Sequence, residues 1–151
     1  MHTDFIYLAS ASPRRQELLS QIGVAFEARP ASISEEPEPN EAPLRYVERI
    51  ALAKAATVWD LISAEAPRPV LGADTAVIVD DDVLGKPGTR EAALEMLERL
   101  SGRSHVVLTA VAVQFEQNVE SAINESKVRF RHTTRRERDA YCDSLEPFDK
   151  A

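Results

Sequence analysis

A hydroxyl-rich turn followed by two arginines is the first feature of this chain that could do chemistry. Ser12 and Pro13 predict a helix start there, because serine favours the N-cap and proline the first helical position. The free amides of that turn, the positive end of the helix dipole and the guanidinium groups of Arg14 and Arg15 then converge on one place. Such a place binds phosphate, although two arginines at a helix start are also common as solvated surface residues.

Asp74 is the second candidate, because it interrupts an apolar run. Residues 70–79 are nearly continuously apolar and β-branched, which predicts a strand buried on both faces. A carboxylate buried there must be paired, bound to a metal or exposed at a cleft. We interpret it as a general base or metal ligand, and the alternative is an aspartate that caps a neighbouring loop. The triplet 80–82 predicts a solvated turn instead of a metal cluster.

Two lysines and two histidines complete the set of candidates. Lys54 lies among alanines on a predicted helix and, taken alone, fits a surface lysine that extends its ammonium group to water. Lys86 lies in a Gly-Lys-Pro turn and is a weak candidate for a phosphate partner. His105 and His132 have no companion at metal-ligand spacing, so zinc is not expected. Cys142 lies on a late helix and has no motif that supports nucleophilic catalysis.

The elements that must position these residues alternate along the chain, which predicts an α/β fold with a mixed, twisted sheet flanked by helices. The predicted helices cover about 13–22, 41–64, 89–100 and 134–144, and the predicted strands 5–8, 24–28, 70–79, 83–84, 104–116 and 119–131. We expect Leu18, Leu19 and Ile22 to face the core from the first helix. Residues 30–43 predict a loop that could fold over a ligand.

Length and charge limit the possible functions. The 151 residues predict a single domain over 1–151, and the net charge of −7 argues against a general nucleic-acid binder. No apolar run approaches the roughly 20 residues that span a bilayer, so no membrane association is expected. With one cysteine and no secretion signal visible at its start, the chain is predicted to be cytoplasmic.

Residues 8–19 resemble the opening signature of the Maf family of nucleoside triphosphate pyrophosphatases. Further segments resemble the motifs of that family in the same order along the chain: Ile33–Glu35, Ala51–Ala55, Gly72–Thr75, Gly85–Pro87, Leu100–His105, Thr109–Val111 and Glu146–Ala151. The resemblance covers nearly the whole chain. It implies a fold similar to that of the inosine triphosphate pyrophosphatases.

The resemblance also implies an activity, which is hydrolysis of a nucleoside triphosphate between its α and β phosphates. Asp74 would be the general base, and Glu35 with Asp74 would bind Mg²⁺ or Mn²⁺. The residues implied to bind the nucleotide are Ser10, Arg14, Arg15, Glu35, Lys54, Thr75 and Lys86. A homodimer is implied as well.

The segment Ala73-Asp74-Thr75 resembles the branch of the family that cleaves dTTP and UTP, which makes Arg14 and Thr75 the specificity candidates. The implied role is removal of modified pyrimidine nucleotides before they enter nucleic acids. Two alternatives stay open, a 7-methyl-GTP pyrophosphatase of the same family and a non-catalytic nucleotide-binding protein that regulates division.

Members of this family normally continue beyond the motif at 149–151 with a glycine-rich, strand-rich segment. That segment would supply a base-contacting glutamine and strands that complete part of the sheet. We therefore expect this chain to be a shortened form of a longer protein that lacks the C-terminal strands of the fold.

Overall fold

The computed structural model describes residues 4–64 and 67–148. The strands are β1 (Ile6–Leu8), β2 (Phe26–Ala28), β3 (Val70–Val79), β4 (Asp82–Leu84), β5 (Ser104–Phe115) and β6 (Asn118–Arg129). The helices are α1 (Pro13–Gln21), α2 (Pro43–Ile62), α3 (Arg90–Leu100) and α4 (Arg135–Asp143), and a 3₁₀ turn covers Glu146–Phe148. The first three residues of the chain, where no secretion signal is predicted, and the motif residues 149–151 lie outside the described residues.

The strands form one six-stranded sheet in the order β2-β1-β3-β5-β6, and β4 pairs with β3. Strand β1 runs parallel to β2 and β3, whereas β4 runs antiparallel to β3. The sheet is therefore mixed, which confirms the predicted α/β fold. The register pairs Leu8 with Leu71, so the turn that follows β1 begins beside the N-terminal part of β3.

Side-chain caps explain why three helices begin where the sequence predicted. The hydroxyl of Ser12 accepts from the amide of Arg15 at 3.4 Å, and Thr89 caps α3 in the same way. Thr134 and Glu137 form a reciprocal capping box at the start of α4. Each cap satisfies amides that the first helical turn leaves without a partner.

The chain divides into two compact units. The first contains residues up to Asp74 together with Thr109–Ile123, and the second contains Thr75–Leu108 and the residues from Asn124 onwards. The core of the first unit includes the fully buried face of α2, made of Val47, Ile50, Ala51, Ala55 and Val58. In the second unit, Ala93, Leu100, Leu108 and Cys142 are buried. The single domain over 1–151 stays a prediction.

The expected apolar face of α1 is wrong in two of its three residues. Leu19 is buried, but Leu18 is 44% exposed and Ile22 is 72% exposed. Ile22 is the C-cap of this nine-residue helix, and Gly23 at φ +73° turns the chain away directly after it. A short helix thus buries a narrower stripe than its apolar pattern indicated.

Strand β6 is the outer strand of the sheet, and it is exposed along nearly its whole length. The predicted alternation of apolar and polar residues therefore produces no buried face there. The hairpin itself is confirmed, with its turn at Glu116–Gln117, one residue earlier than expected. Asp80 and Asp81 form the predicted turn, both with positive φ, which aspartate tolerates. Among residues 4–64 and 67–148, no helix combines the length and apolar character needed to cross a bilayer.

Candidate active site

The site begins with a close approach between α2 and β3, both in the first unit. A Cβ atom at Gly72 would lie 2.2 Å from the carbonyl oxygen of Ala51 and 2.7 Å from the amide nitrogen of Ala55. Only glycine therefore allows the backbone of the helix to rest on the strand at this position. Lys54 lies between those two alanines, and Asp74 is two residues along the strand on the same face as Gly72.

As a result, Lys54 and Asp74 meet inside the protein. The ammonium nitrogen of Lys54 lies 3.2 Å from Oδ1 of Asp74 and 2.9 Å from Oε1 of Glu35. The side chains of Lys54 and Asp74 are only 8% and 7% exposed, whereas that of Glu35 is 48% exposed. The interpretation of Lys54 as a surface lysine is wrong. The protein tolerates the burial of Lys54 and Asp74 because each charge compensates the other.

The pKa of Asp74 is raised above its ordinary value, chiefly because burial disfavours the charged carboxylate. Lys54 opposes this shift through its charge and its hydrogen bond, Glu35 adds to it, and Arg15 opposes it. A carboxylate with a raised pKa is a better proton acceptor than one with an ordinary pKa.

The turn after β1 brings a second cation to the same face. Ser10 is buried, and its hydroxyl oxygen accepts from the amide of Ser12 at 3.2 Å and from Nη1 of Arg15 at 3.1 Å. Burial lowers the pKa of Arg15, while Asp74 and then Glu35 act to raise it. Arg15 thus lies within electrostatic range of both carboxylates of the cluster.

The cluster of Ser10, Arg15, Glu35, Lys54 and Asp74 contains two cations and two carboxylates. Its formal charge is therefore balanced. A ligand that carries both a divalent cation and phosphate groups could replace these internal pairs. Its phosphates would pair with the two cations of the cluster, and its divalent cation would pair with the two carboxylates.

The remaining candidates, Arg14, Thr75 and Lys86, differ in exposure and in the element that carries them. Arg14 has a side chain that is 71% exposed and lies 3.6 Å from Glu17 on the same helix. Thr75 follows Asp74 within β3, so its side chain points to the opposite face of the sheet. Lys86 is exposed in the coil after β4, in the second unit. Their roles stay predictions.

Two residues of α2 that the sequence did not single out also belong to the site. The hydroxyl of Tyr46 donates to the carbonyl oxygen of Glu35 at 2.7 Å, and Nη2 of Arg49 donates to the carbonyl oxygen of Glu36 at 3.0 Å. Tyr46 lies on the buried stripe of α2, two turns before Lys54. That spacing was the available signal, but an apolar stripe by itself predicts only core packing.

Whether the site fits a divalent ion depends on the number of its carboxylates. In the part of the chain that the structure describes, no group of three or more His, Cys, Asp or Glu side chains is arranged to hold a metal. Glu35 and Asp74 supply two carboxylates that share one cation, Lys54. Mg²⁺ is commonly bound by one or two carboxylates together with substrate phosphates, so this pair fits an ion that the nucleotide helps to hold.

A cavity of about 390 Å³ lies within the second unit and is mostly apolar. His105 contributes to its lining, and the Nδ1 atom of this residue is buried without a hydrogen-bond partner among the described residues. Burial lowers the pKa of His105, which favours the neutral imidazole. Because this cavity is mostly apolar and presents no pair of carboxylates, we assign no catalytic role to it.

Known proteins resemble this chain over nearly its whole length. The family described as Maf-like protein matches residues 5–151. A dTTP/UTP pyrophosphatase of Nitrosospira multiformis is 47% identical over 156 aligned positions, which cover 97% of this chain and 75% of that protein. A dTTP/UTP pyrophosphatase of Shigella dysenteriae is 44% identical over 146 residues, with 97% of this chain and 73% of that protein covered.

A solved structure shows the same fold at low sequence identity. The nucleoside-triphosphatase / dITP/XTP pyrophosphatase of Mycobacterium abscessus superposes with a TM-score of 0.52 at 19% identity, covering 81% of this chain and 72% of that one. The fold predicted from the resemblance is thereby confirmed. Since the family match extends over nearly every residue, this chain belongs to the Maf-like family.

Proposed function

We propose that residues 1–151 form a nucleotide pyrophosphatase domain that hydrolyses dTTP and UTP, and modified pyrimidine nucleotides, to the monophosphate and pyrophosphate. Relatives that are 44% and 47% identical over 97% of the chain are named dTTP/UTP pyrophosphatases. The observation that carries the proposal is the buried contact of Lys54 with Asp74 and Glu35. It joins a base and two potential metal ligands at one point.

Asp74 acts as the general base in this proposal. Its carboxylate takes a proton from a water molecule while the water oxygen forms a bond to the α phosphorus. The bond between that phosphorus and the oxygen bridging to the β phosphate breaks, and pyrophosphate leaves with the bonding electrons. The raised pKa of Asp74 supports this role, since a carboxylate of ordinary pKa is a weaker proton acceptor.

The cations of the site bind the triphosphate. Lys54 releases its carboxylate partners and Arg15 its hydroxyl partner, and both neutralise charge on the phosphate oxygens. The hydroxyl group of Ser10 donates a hydrogen bond to a phosphate oxygen. Arg14 and Lys86 contribute further positive charge once the nucleotide is bound. Cation clamps of this kind stabilise charge that develops on the leaving pyrophosphate.

Glu35 and Asp74 are the residues that would hold Mg²⁺ or Mn²⁺. When bound, such an ion polarises the phosphoryl group and lowers the charge on its oxygens. Glu35 is half-exposed within the coil at residues 29–38 and is therefore accessible to an ion that arrives with the nucleotide. Asp74 then serves both as ligand and as base.

Arg14 and Thr75 select the base of the nucleotide in this proposal, which favours pyrimidines over 7-methyl-GTP. We also propose that the protein works in the cytoplasm as a homodimer and without a nucleic-acid polymer. Substitution of Thr75 by valine keeps the β-branched shape and removes the hydroxyl, so it tests specificity with little change in packing. The ratio of UTP to 7-methyl-GTP hydrolysis should fall in that variant.

The test of the activity is pyrophosphate release from dTTP, UTP and 7-methyl-GTP with Mg²⁺ or Mn²⁺. We expect turnover of the two pyrimidine nucleotides and a loss of at least about 100-fold in Asp74→Asn. Asp81→Asn is the matched control, because Asp81 lies in an exposed turn whose positive φ asparagine tolerates. Equal activity of the two variants would overturn the role of Asp74. Nucleotide binding without turnover in the wild type would favour the non-catalytic alternative, and cleavage of 7-methyl-GTP alone would refute the proposed substrate class.

A further inference from the structure

Glu35 reaches Lys54 from a segment that has no regular secondary structure. Residues 29–38 form coil between β2 and α2. The carboxylate of Glu35 nevertheless lies 2.9 Å from the buried ammonium group of Lys54. A coil segment can hold one of its side chains at such a point only if its backbone is fixed nearby.

Two side chains of α2 provide that fixation, and they bind consecutive carbonyl groups of the segment. The hydroxyl of Tyr46 donates to the carbonyl oxygen of Glu35 itself, at 2.7 Å. Arg49 donates to the carbonyl oxygen of Glu36 at 3.0 Å. Since α2 also carries Lys54, the same helix positions both the backbone of Glu35 and the cation that its carboxylate meets.

Arg49 is in turn held by Glu41, which lies between the segment and the start of α2. Nε and Nη2 of Arg49 lie 2.5 and 2.8 Å from the two carboxylate oxygens of Glu41, which is a bidentate pair. The hydrogen bond from Arg49 lowers the pKa of Glu41 to about 2. The guanidinium group also stacks over the ring of Tyr46 at 5.7 Å. Tyr46 and Arg49 therefore support one another.

The chemical state of Tyr46 suits a permanent donor. Tyr46 is 7% exposed, and burial raises the pKa of its hydroxyl, an effect to which Asp74 and Glu35 add. Burial therefore favours the protonated phenol, which can donate its hydrogen bond to the carbonyl oxygen of Glu35.

We infer that Tyr46 is a positioning residue, which fixes the backbone of Glu35 so that its carboxylate lies against Lys54 and beside Asp74. The inference deepens the proposed function and rests on it for the consequence in catalysis. The positioning itself can be measured without any nucleotide. Tyr46 does not contact the reacting atoms and acts only through Glu35.

Amide hydrogen exchange tests the positioning in the absence of ligand. In Tyr46→Phe, we expect the exchange of residues 33–38 to accelerate at least about tenfold, because the part-buried hydrogen bond to the carbonyl oxygen of Glu35 is lost while the ring is kept. Tyr7→Phe is the matched control, since Tyr7 is equally buried, in β1, and should leave this exchange unchanged. Unchanged exchange of residues 33–38 in Tyr46→Phe would overturn the inference.

A double-variant cycle tests whether Tyr46 acts through Glu35. We expect Tyr46→Phe to lower kcat/KM for dTTP about tenfold and to raise the Mg²⁺ concentration at half-maximal rate. In a Glu35→Gln background, the same change should have less than a twofold effect. An equal loss in both backgrounds would overturn the inference. If the wild type cleaves no nucleotide, the proposed function fails, while the exchange measurement still decides the positioning role.

Discussion

Replacement of Gly72 by alanine tests the contact on which the whole site depends. The added Cβ would lie 2.2 Å from the carbonyl oxygen of Ala51, and ordinary contacts of a Cβ begin at 3.4 Å. The helix must therefore retreat by about 1.2 Å, since the atoms it meets belong to the backbone and cannot rotate away. That displacement exceeds what the hydrogen bond of 3.2 Å between Lys54 and Asp74 can absorb.

Because the displaced face of α2 is fully buried, we expect Gly72→Ala to lower the free energy of unfolding by about 3 kcal/mol, the upper end of the range for overpacked cores. Urea unfolding measures this value. Gly88→Ala is the control, because a Cβ at that position meets no atom within 4 Å. A Gly72→Ala protein as stable as the Gly88→Ala control, with unchanged activity, would refute the reasoning.

Three further predictions concern Lys54, Arg15 and His105. In Lys54→Met, the pKa of Asp74 should rise further, because the cation that opposes the effect of burial is lost. Since the base must be deprotonated, the acid limb of the pH profile of kcat/KM should move to higher pH. A move to lower pH would contradict this. Arg15→Ala should lower kcat/KM for dTTP at least about tenfold more than Arg14→Ala, because Arg15 is within electrostatic range of Asp74 and Arg14 is exposed. Steady-state kinetics measures both losses, and a larger loss in Arg14→Ala would refute the prediction. In His105→Phe, the free energy of unfolding near pH 7 should be unchanged or higher. The wild type should also lose stability as the pH falls through about 6.5, since the pKa of His105 is depressed in the folded protein and the unfolded chain binds the proton more tightly. Thermal unfolding of both proteins from pH 5 to 8 should show this loss only in the wild type.

Local patterns in the sequence were sufficient for much of the fold. The apolar, β-branched run at 70–79 became β3 with the predicted bounds, and the caps at Ser12, Thr89 and Thr134 began helices where they were expected. These features depend on neighbouring residues along the chain, so the sequence contains their cause. The predictions failed where exposure depends on packing, as for Leu18 and Ile22 of α1.

The sequence by itself also determined the family and the types of the chemical groups, since motifs such as those at Asp74 and Lys54 are local. Only the tertiary structure decided that Lys54 is buried and that its ammonium group bridges Asp74 and Glu35. The same holds for Tyr46, whose hydroxyl meets a carbonyl eleven residues away. The physical reason is that burial and hydrogen bonding between distant residues arise from the approach of α2 to β3, which Gly72 permits.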